Sequence, residues 1–146
     1  MAVPDQSFFC IQPADRRWVT GLFTGTRRGL IADEQTPTLG LVTGVVELLD
    51  PGRKIDLHHN EVEEFQYIVS GTGLARDAHG TKYPVAPGTC VYCRPGPEGA
   101  HGFENTGQDP LVILFVFSSP GGRFPAIHVV NADAAIQEHD SRREKS

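Results

Sequence analysis

Apolar residues recur along this chain in short, strand-length runs, each closed by a glycine or proline turn. The run TLGLVTGVVELL at residues 38–49 is rich in β-branched and apolar side chains, and Asp50-Pro51-Gly52 ends it as a turn. Residues 55–59 resume as strand, and residues 64–69 form another, ended by Gly71 and Gly73. Residues 74–77 and 81–85 are predicted to pair as a hairpin around His79-Gly80. Ala86-Pro87-Gly88 is a further turn, residues 90–92 a strand, and residues 95–99 a Pro/Gly loop. The run LVILFVF at 111–117 is continuously apolar and predicts a strand buried on both faces. Ahead of these runs, Phe8, Phe9, Trp18, Val19, Leu22 and Phe23 stand among polar residues, as short strands laid on the main body or as the mouth of a pocket. Beyond residue 118 the pattern weakens. Asn131 can cap a short helix over 132–137, and the terminal HDSRREKS is predicted to fray. Short strands with regular turn signals and no other helical period give an all-β sandwich or barrel.

Composition sharpens this picture mainly by exclusion. A chain of 146 residues with 39% hydrophobic and 21% charged residues is long enough for one domain with a real core. The 16 glycines and 11 prolines are spread rather than massed, as expected of many turns. A net charge of -5, with no Lys/Arg cluster outside the tail, argues against a nucleic-acid or anionic-membrane partner. No stretch approaches the ~20 apolar residues of a membrane span. The opening MAVPDQSFFC has neither the basic nor the apolar region of a signal peptide, so a cytoplasmic location is expected. Cys10, Cys90 and Cys93 are too few and odd in number for a disulfide framework. Arg16, Arg17, Arg27 and Arg28 fall in two pairs. They read either as solvated cations or as the source of one arginine that meets a substrate carboxylate.

The candidate chemistry lies in two clusters, residues 52–71 and 101–105. In a strand, side chains two apart share a face, so His58 and Asn60 point one way and His59 the other; Glu64 and Gln66 keep the parity of His58. His101, on a strand returning across the sheet, can supply the missing side of a site. Two imidazoles and a carboxylate with open positions make a facial triad, suited to Fe(II) and tolerated by Zn, Mn, Ni or Cu. Gln66 and Tyr92 are candidates to line the same cavity. Cys90 and Cys93, three apart in a strand, face opposite sides and read as small packing residues rather than a zinc pair. His79, His128 and His139 read as exposed. Neither a Ser-His-Asp order nor a nucleotide-binding glycine loop is present.

These residues also carry a family resemblance. Gly52, His58, Glu64 and Gly71 match, in register, the first motif of the cupins, G-x5-H-x-H-x3-E-x6-G. Gly88, Pro95 or Pro97, Gly99, His101 and Asn105 resemble the second, G-x5-P-x-G-x2-H-x3-N, with two extra residues ahead of His101. The resemblance spans roughly residues 38–118 and implies a double-stranded β-helix (jelly-roll) barrel whose two motifs face a central cavity. The implied division is an N-terminal arm or strands at 1–37, the barrel at 38–118, and a partly disordered C-terminal extension at 119–146.

By carry-over, His58, Glu64 and His101 look like ligands of one divalent metal ion. Asn60 stands where the family usually has a second histidine. It can act as a weak carbonyl ligand or hydrogen-bond a water or the substrate; alternatively, a bulge turns His59 inward. The implied function is a metal-dependent enzyme acting on a small organic metabolite, with Glu64, Gln66 and Tyr92 as catalytic candidates. On ligand count an Fe(II)-type dioxygenase leads. The alternatives are a non-redox isomerase, cyclase or lyase, in which Glu64 or a histidine moves a proton, and a small-molecule binder without catalysis. The family also suggests a homodimer.

Overall fold

The computed structural model describes residues 8–33, 38 and 40–130. Two antiparallel sheets face each other, with no α-helix among the described residues. The first sheet holds six strands in the order β1 (Arg17–Thr20), β2 (Thr26–Ala32), β3 (Leu41–Leu48), β10 (Leu111–Ser118), β5 (Glu64–Ser70) and β8 (Cys90–Cys93). The second holds five, in the order β11 (His128–Val129), β4 (Lys54–His59), β9 (His101–Asn105), β6 (Gly73–Arg76) and β7 (Lys82–Val85). Consecutive strands repeatedly cross from one sheet to the other, which is the double-stranded β-helix arrangement expected from the sequence.

Local chemistry sets the turns that make those crossings. Asp77 Oδ1 accepts hydrogen bonds from the backbone N–H of His79 and Thr81 and fixes the β6–β7 hairpin, with Gly80 at φ 84°. Gly71 sits at φ 83°, and a Cβ there would lie 2.4 Å from Pro110 O, so only glycine lets β5 turn against the start of β10. Asn105, fully buried, donates through Nδ2 to Leu48 O and Asp109 O and accepts from Gly107 N–H. The asparagine of the second motif is therefore a tie between β3, β9 and the turn into β10.

Burial alternates along the strands with period two. On β5, Glu64, Gln66 and Ile68 are buried, while Phe65, Tyr67 and Val69 are exposed. On β10, Leu111, Ile113, Phe115 and Phe117 are buried, but Val112, Leu114 and Val116 are only half-buried. The expectation that this run is buried on both faces is thus corrected: its second face, between β3 and β5, is only half-buried.

Two apolar clusters fill the interior. One gathers Leu48, Ile55, Ile68, Ala75, Val85, Phe103, Leu111 and Ile113. The other gathers Val42, Phe115 and Phe117, with Leu30, Val46, Val62 and Phe124 packed against it. Truncating a fully buried member such as Ile68 to alanine should cost about 2–5 kcal/mol. The early anchors divide: Trp18 and Val19 lie on β1, which with β2 extends the first sheet, Leu22 and Phe23 line the cavity, and Phe8 and Phe9 are exposed. The helix expected over 132–137 and the terminal tail lie outside the described residues.

Candidate metal centre

The polar site lies inside the barrel, where β4, β5, β8 and β9 bring side chains together between the two apolar clusters. His58 is the penultimate residue of β4 and His101 opens β9, and the two are direct partners in the ladder. Their rings meet edge to face at a centroid distance of 4.4 Å. In each, Nδ1 faces the backbone carbonyl two residues earlier: Asp56 O at 2.8 Å for His58 and Gly99 O at 2.9 Å for His101. A carbonyl only accepts, so both Nδ1 atoms carry the proton and both Nε2 atoms are left for another partner. Backbone-anchored Nδ1–H with a free Nε2 is the arrangement of metal-binding histidines. The loop ahead of His101 depends on Gly99, where a Cβ would fall 1.8 Å from Arg94 O.

Glu64, 4% exposed, is held at both oxygens. Asn60 Nδ2 donates to Oε1 at 3.2 Å, and Gln66 Nε2 donates to Oε2 at 3.1 Å. His101 Nε2 lies 3.0 Å from Glu64 Oε1, yet it is a buried atom with no aligned hydrogen bond. Cys93 completes the group. Its Sγ contacts Gln66 Oε1 at 3.7 Å, and the donor atoms of Glu64, Cys93 and His101 all lie within 4.8 Å of one another.

Electrostatics follow from this packing. Burial, reinforced by His101, pushes His58 down to about 3, so it is neutral with a free lone pair. Burial also opposes a charge on His101, but the adjacent Cys93 and Glu64 outweigh it and raise His101 well above its ordinary value. A carboxylate, a thiol and an imidazole with an orphaned Nε2 lie close together in the buried interior, with the His58 ring packed against His101, and this donor set fits a divalent cation.

The sequence-predicted residues divide clearly. His58, Glu64, Gln66 and His101 are brought together inside the barrel. Asn60 is 3% exposed and adjacent, but its Oδ1 accepts from Val62 N–H and its amide N–H group faces Glu64. It orients the carboxylate. His59 is not turned inward: the β4–β9 register is irregular between Ile55 and His58, but His59 stacks on His128, outside the cavity, at 5.1 Å. Tyr92 does not line the cavity. It is 59% exposed and donates to Glu63 at 2.7 Å, because on β8 Val91 and Cys93 take the inward positions. Cys93 is the residue that the sequence reading missed. Parity separated it from Cys90, which is exposed, but only the pairing Glu64↔Cys93 in the β5–β8 ladder reveals that its face is the metal-site face. His128, expected to be merely exposed, is half-buried in β11 opposite His59.

The centre opens into a cavity walled by Phe23, Ile55, Phe103, Phe115, Phe117 and Phe124. His58, Glu64, Gln66 and Arg28 are the polar side chains at its lining that can meet a ligand.

Comparison with known proteins places this architecture. Solved structures share the fold, among them the following three. A polyketide cyclase, RemF from Streptomyces resistomycificus, matches at 18% identity over 90% of this chain and 91% of its own, with a TM-score of 0.74. A sugar phosphate isomerase of the cupin superfamily from Silicibacter pomeroyi matches at 20% identity over 85% and 83%, with a TM-score of 0.68. KdgF from Halomonas sp. matches at 21% identity over 77% and 94%, with a TM-score of 0.63. No curated protein sequence matches the chain significantly. The family model described as the cupin domain matches residues 45–117, half of the chain. This small all-β protein therefore belongs to the cupins.

Proposed function

We propose that this cupin is a metal-dependent, non-redox enzyme, an isomerase, cyclase or lyase, acting on a small apolar metabolite through an oxygen-bearing group. The observation that carries this reading is the convergence of Glu64, Cys93 and His101 within 4.8 Å, with Glu64 reaching the lining of an aromatic-walled cavity. His58, Glu64, Cys93 and His101 would hold the ion. A set that mixes thiolate, imidazole and carboxylate suits zinc, which has no redox chemistry. When bound, such an ion supplies a Lewis acid for a carbonyl or enolate oxygen.

The chain's own residues do the rest. Asn60 and Gln66 fix both oxygens of Glu64, so the carboxylate keeps one orientation. The phenylalanine walls exclude water and favour a ring-bearing substrate. The polyketide cyclase and sugar phosphate isomerase among the similar folds supply precedents for these reaction classes on this barrel, as analogy.

A second reading, an Fe(II) oxygenase, is favoured by the two-histidine, one-carboxylate subset His58, Glu64 and His101. Elemental analysis of the purified protein, combined with an oxygen electrode, separates the two. Zinc near stoichiometry with no O₂ uptake supports the non-redox reading, and iron with substrate-dependent O₂ uptake replaces it with the oxygenase. A protein that takes up no metal even on reconstitution would be a binding module.

A further inference from the structure

Beyond the metal centre, one charged group faces the cavity without a counter-ion among the described residues. Arg28 is 9% exposed, lies on β2 opposite Val46, and lines the same cavity as His58 and Glu64. Arg27 pairs with Glu47 at 2.7 Å and stacks on Trp18 at 4.1 Å, and Arg17 pairs with Asp33; Arg16, whose Nε is likewise buried without a partner, is not part of the cavity lining. Arg28 has neither a hydrogen bond nor an ion pair to any described residue, and its Nε is fully buried without a partner. What it does touch is Phe124, with the guanidinium carbon 4.5 Å from the ring centroid. That contact engages the positive charge and leaves the N–H donors uncommitted. Glu64, the acidic group of the cavity lining, is already engaged by Asn60, Gln66 and His101.

A buried guanidinium with unused donors is unfavourable unless something completes it. A divalent ion held by Glu64 and a Cys93 thiolate would make a neutral centre, which would leave Arg28 as the uncompensated positive charge of the cavity lining. We propose that Arg28 is the substrate-recognition residue for an anionic group, and that the substrate class is an aromatic or otherwise ring-bearing carboxylate. The carboxylate would pair with the guanidinium, whose forked donors match its two oxygens. The apolar body would lie against Phe115, Phe117 and Phe124. The proposal rests on the metal-enzyme reading for its account of turnover, but the anion site itself does not require that reading.

The test is calorimetric titration of zinc-loaded protein with cinnamate and with neutral cinnamamide, in the wild type, Arg28→Met and Arg28→Lys. Metal content and thermal unfolding are measured on the same samples. The wild type is expected to bind cinnamate about tenfold or more tightly than the amide, as charge-assisted hydrogen bonds warrant. Arg28→Met should lose that preference while keeping its zinc and its folded transition, and Arg28→Lys should keep part of it. Equal affinity for the two ligands in the wild type, or no measurable cinnamate binding, overturns the proposal. So does a preference that survives in Arg28→Met and vanishes when zinc is chelated, since the carboxylate then sits on the metal. An Arg28-dependent preference in protein that retains no metal would uphold the anion site and instead sink the metal-enzyme reading.

Discussion

His58 and His59 are neighbours on one strand, and each meets another histidine across the ladder, but the two pairs are built differently. Inside, His58 and His101 meet edge to face, each Nδ1 anchored on a carbonyl, with Glu64 clamped beside His101 and Cys93 within reach. Outside, His59 and His128 lie stacked with an interplanar angle of 25°, and His59 Nδ1 and His128 Nε2 have no hydrogen-bond partner. Glu61 approaches His128 only at 3.7 Å and is itself largely exposed. Two histidines in contact do not make a metal centre. Anchored Nδ1 atoms, Nε2 atoms left for another partner and a held carboxylate are what mark the inner pair as the candidate.

The largest expected difference between the pairs is metal retention. His101→Ala or His58→Ala should reduce a stoichiometric metal load to near none by plasma mass spectrometry, whereas His59→Ala should leave it unchanged. Loss of metal in His59→Ala would erase the distinction.

A smaller effect is expected from the residues that support the inner pair. Asn60→Ala frees one oxygen of Glu64 and should weaken metal binding by about 10- to 100-fold in a competition titration, with the fold intact. An unchanged affinity would mean that the carboxylate needs no clamp.

The inner pair should also make metal uptake dependent on pH. His101, raised above its ordinary value in the metal-free protein, holds a proton that the metal must displace. Affinity should therefore rise as pH increases through and above 6.5, with proton release visible as a buffer-dependent heat. His58, held at about 3, is already neutral across that range and adds nothing to the dependence. A flat profile from pH 6 upwards would contradict the protonated state of His101.

The smallest effect belongs to the outer pair. His128→Ala should lower stability by about 1 kcal/mol or less in urea unfolding, the scale of one stacked contact. It should leave metal binding untouched.

Much of this contrast was legible in the sequence because strand parity is a local property. Parity assigned His58, Glu64 and Gln66 to one face and His59 to the other, and the two motif spacings placed His101 opposite. The remainder depended on non-local pairing. Cys93 could be separated from Cys90 by parity, but that its face is the metal-site face follows only from its register with Glu64. Tyr92 failed as a cavity residue for the same reason, one position earlier on β8. His128 lies in a segment with no periodicity of its own, and only its pairing with β4 places it against His59. Arg28 stood out as one of four arginines. The carboxylates that occupy Arg17 and Arg27, and the lack of an ion pair from Arg28 to any described residue, are tertiary facts.

The most direct test of the inner site is X-ray absorption at the zinc edge of the metal-loaded protein, beside Cys93→Ser. Imidazole and carboxylate scatterers with one sulfur at ~2.3 Å, the sulfur lost in the variant, would confirm a centre built from His58, Glu64, Cys93 and His101. A shell of oxygen and nitrogen alone in the wild type, unchanged by the substitution, would contradict it.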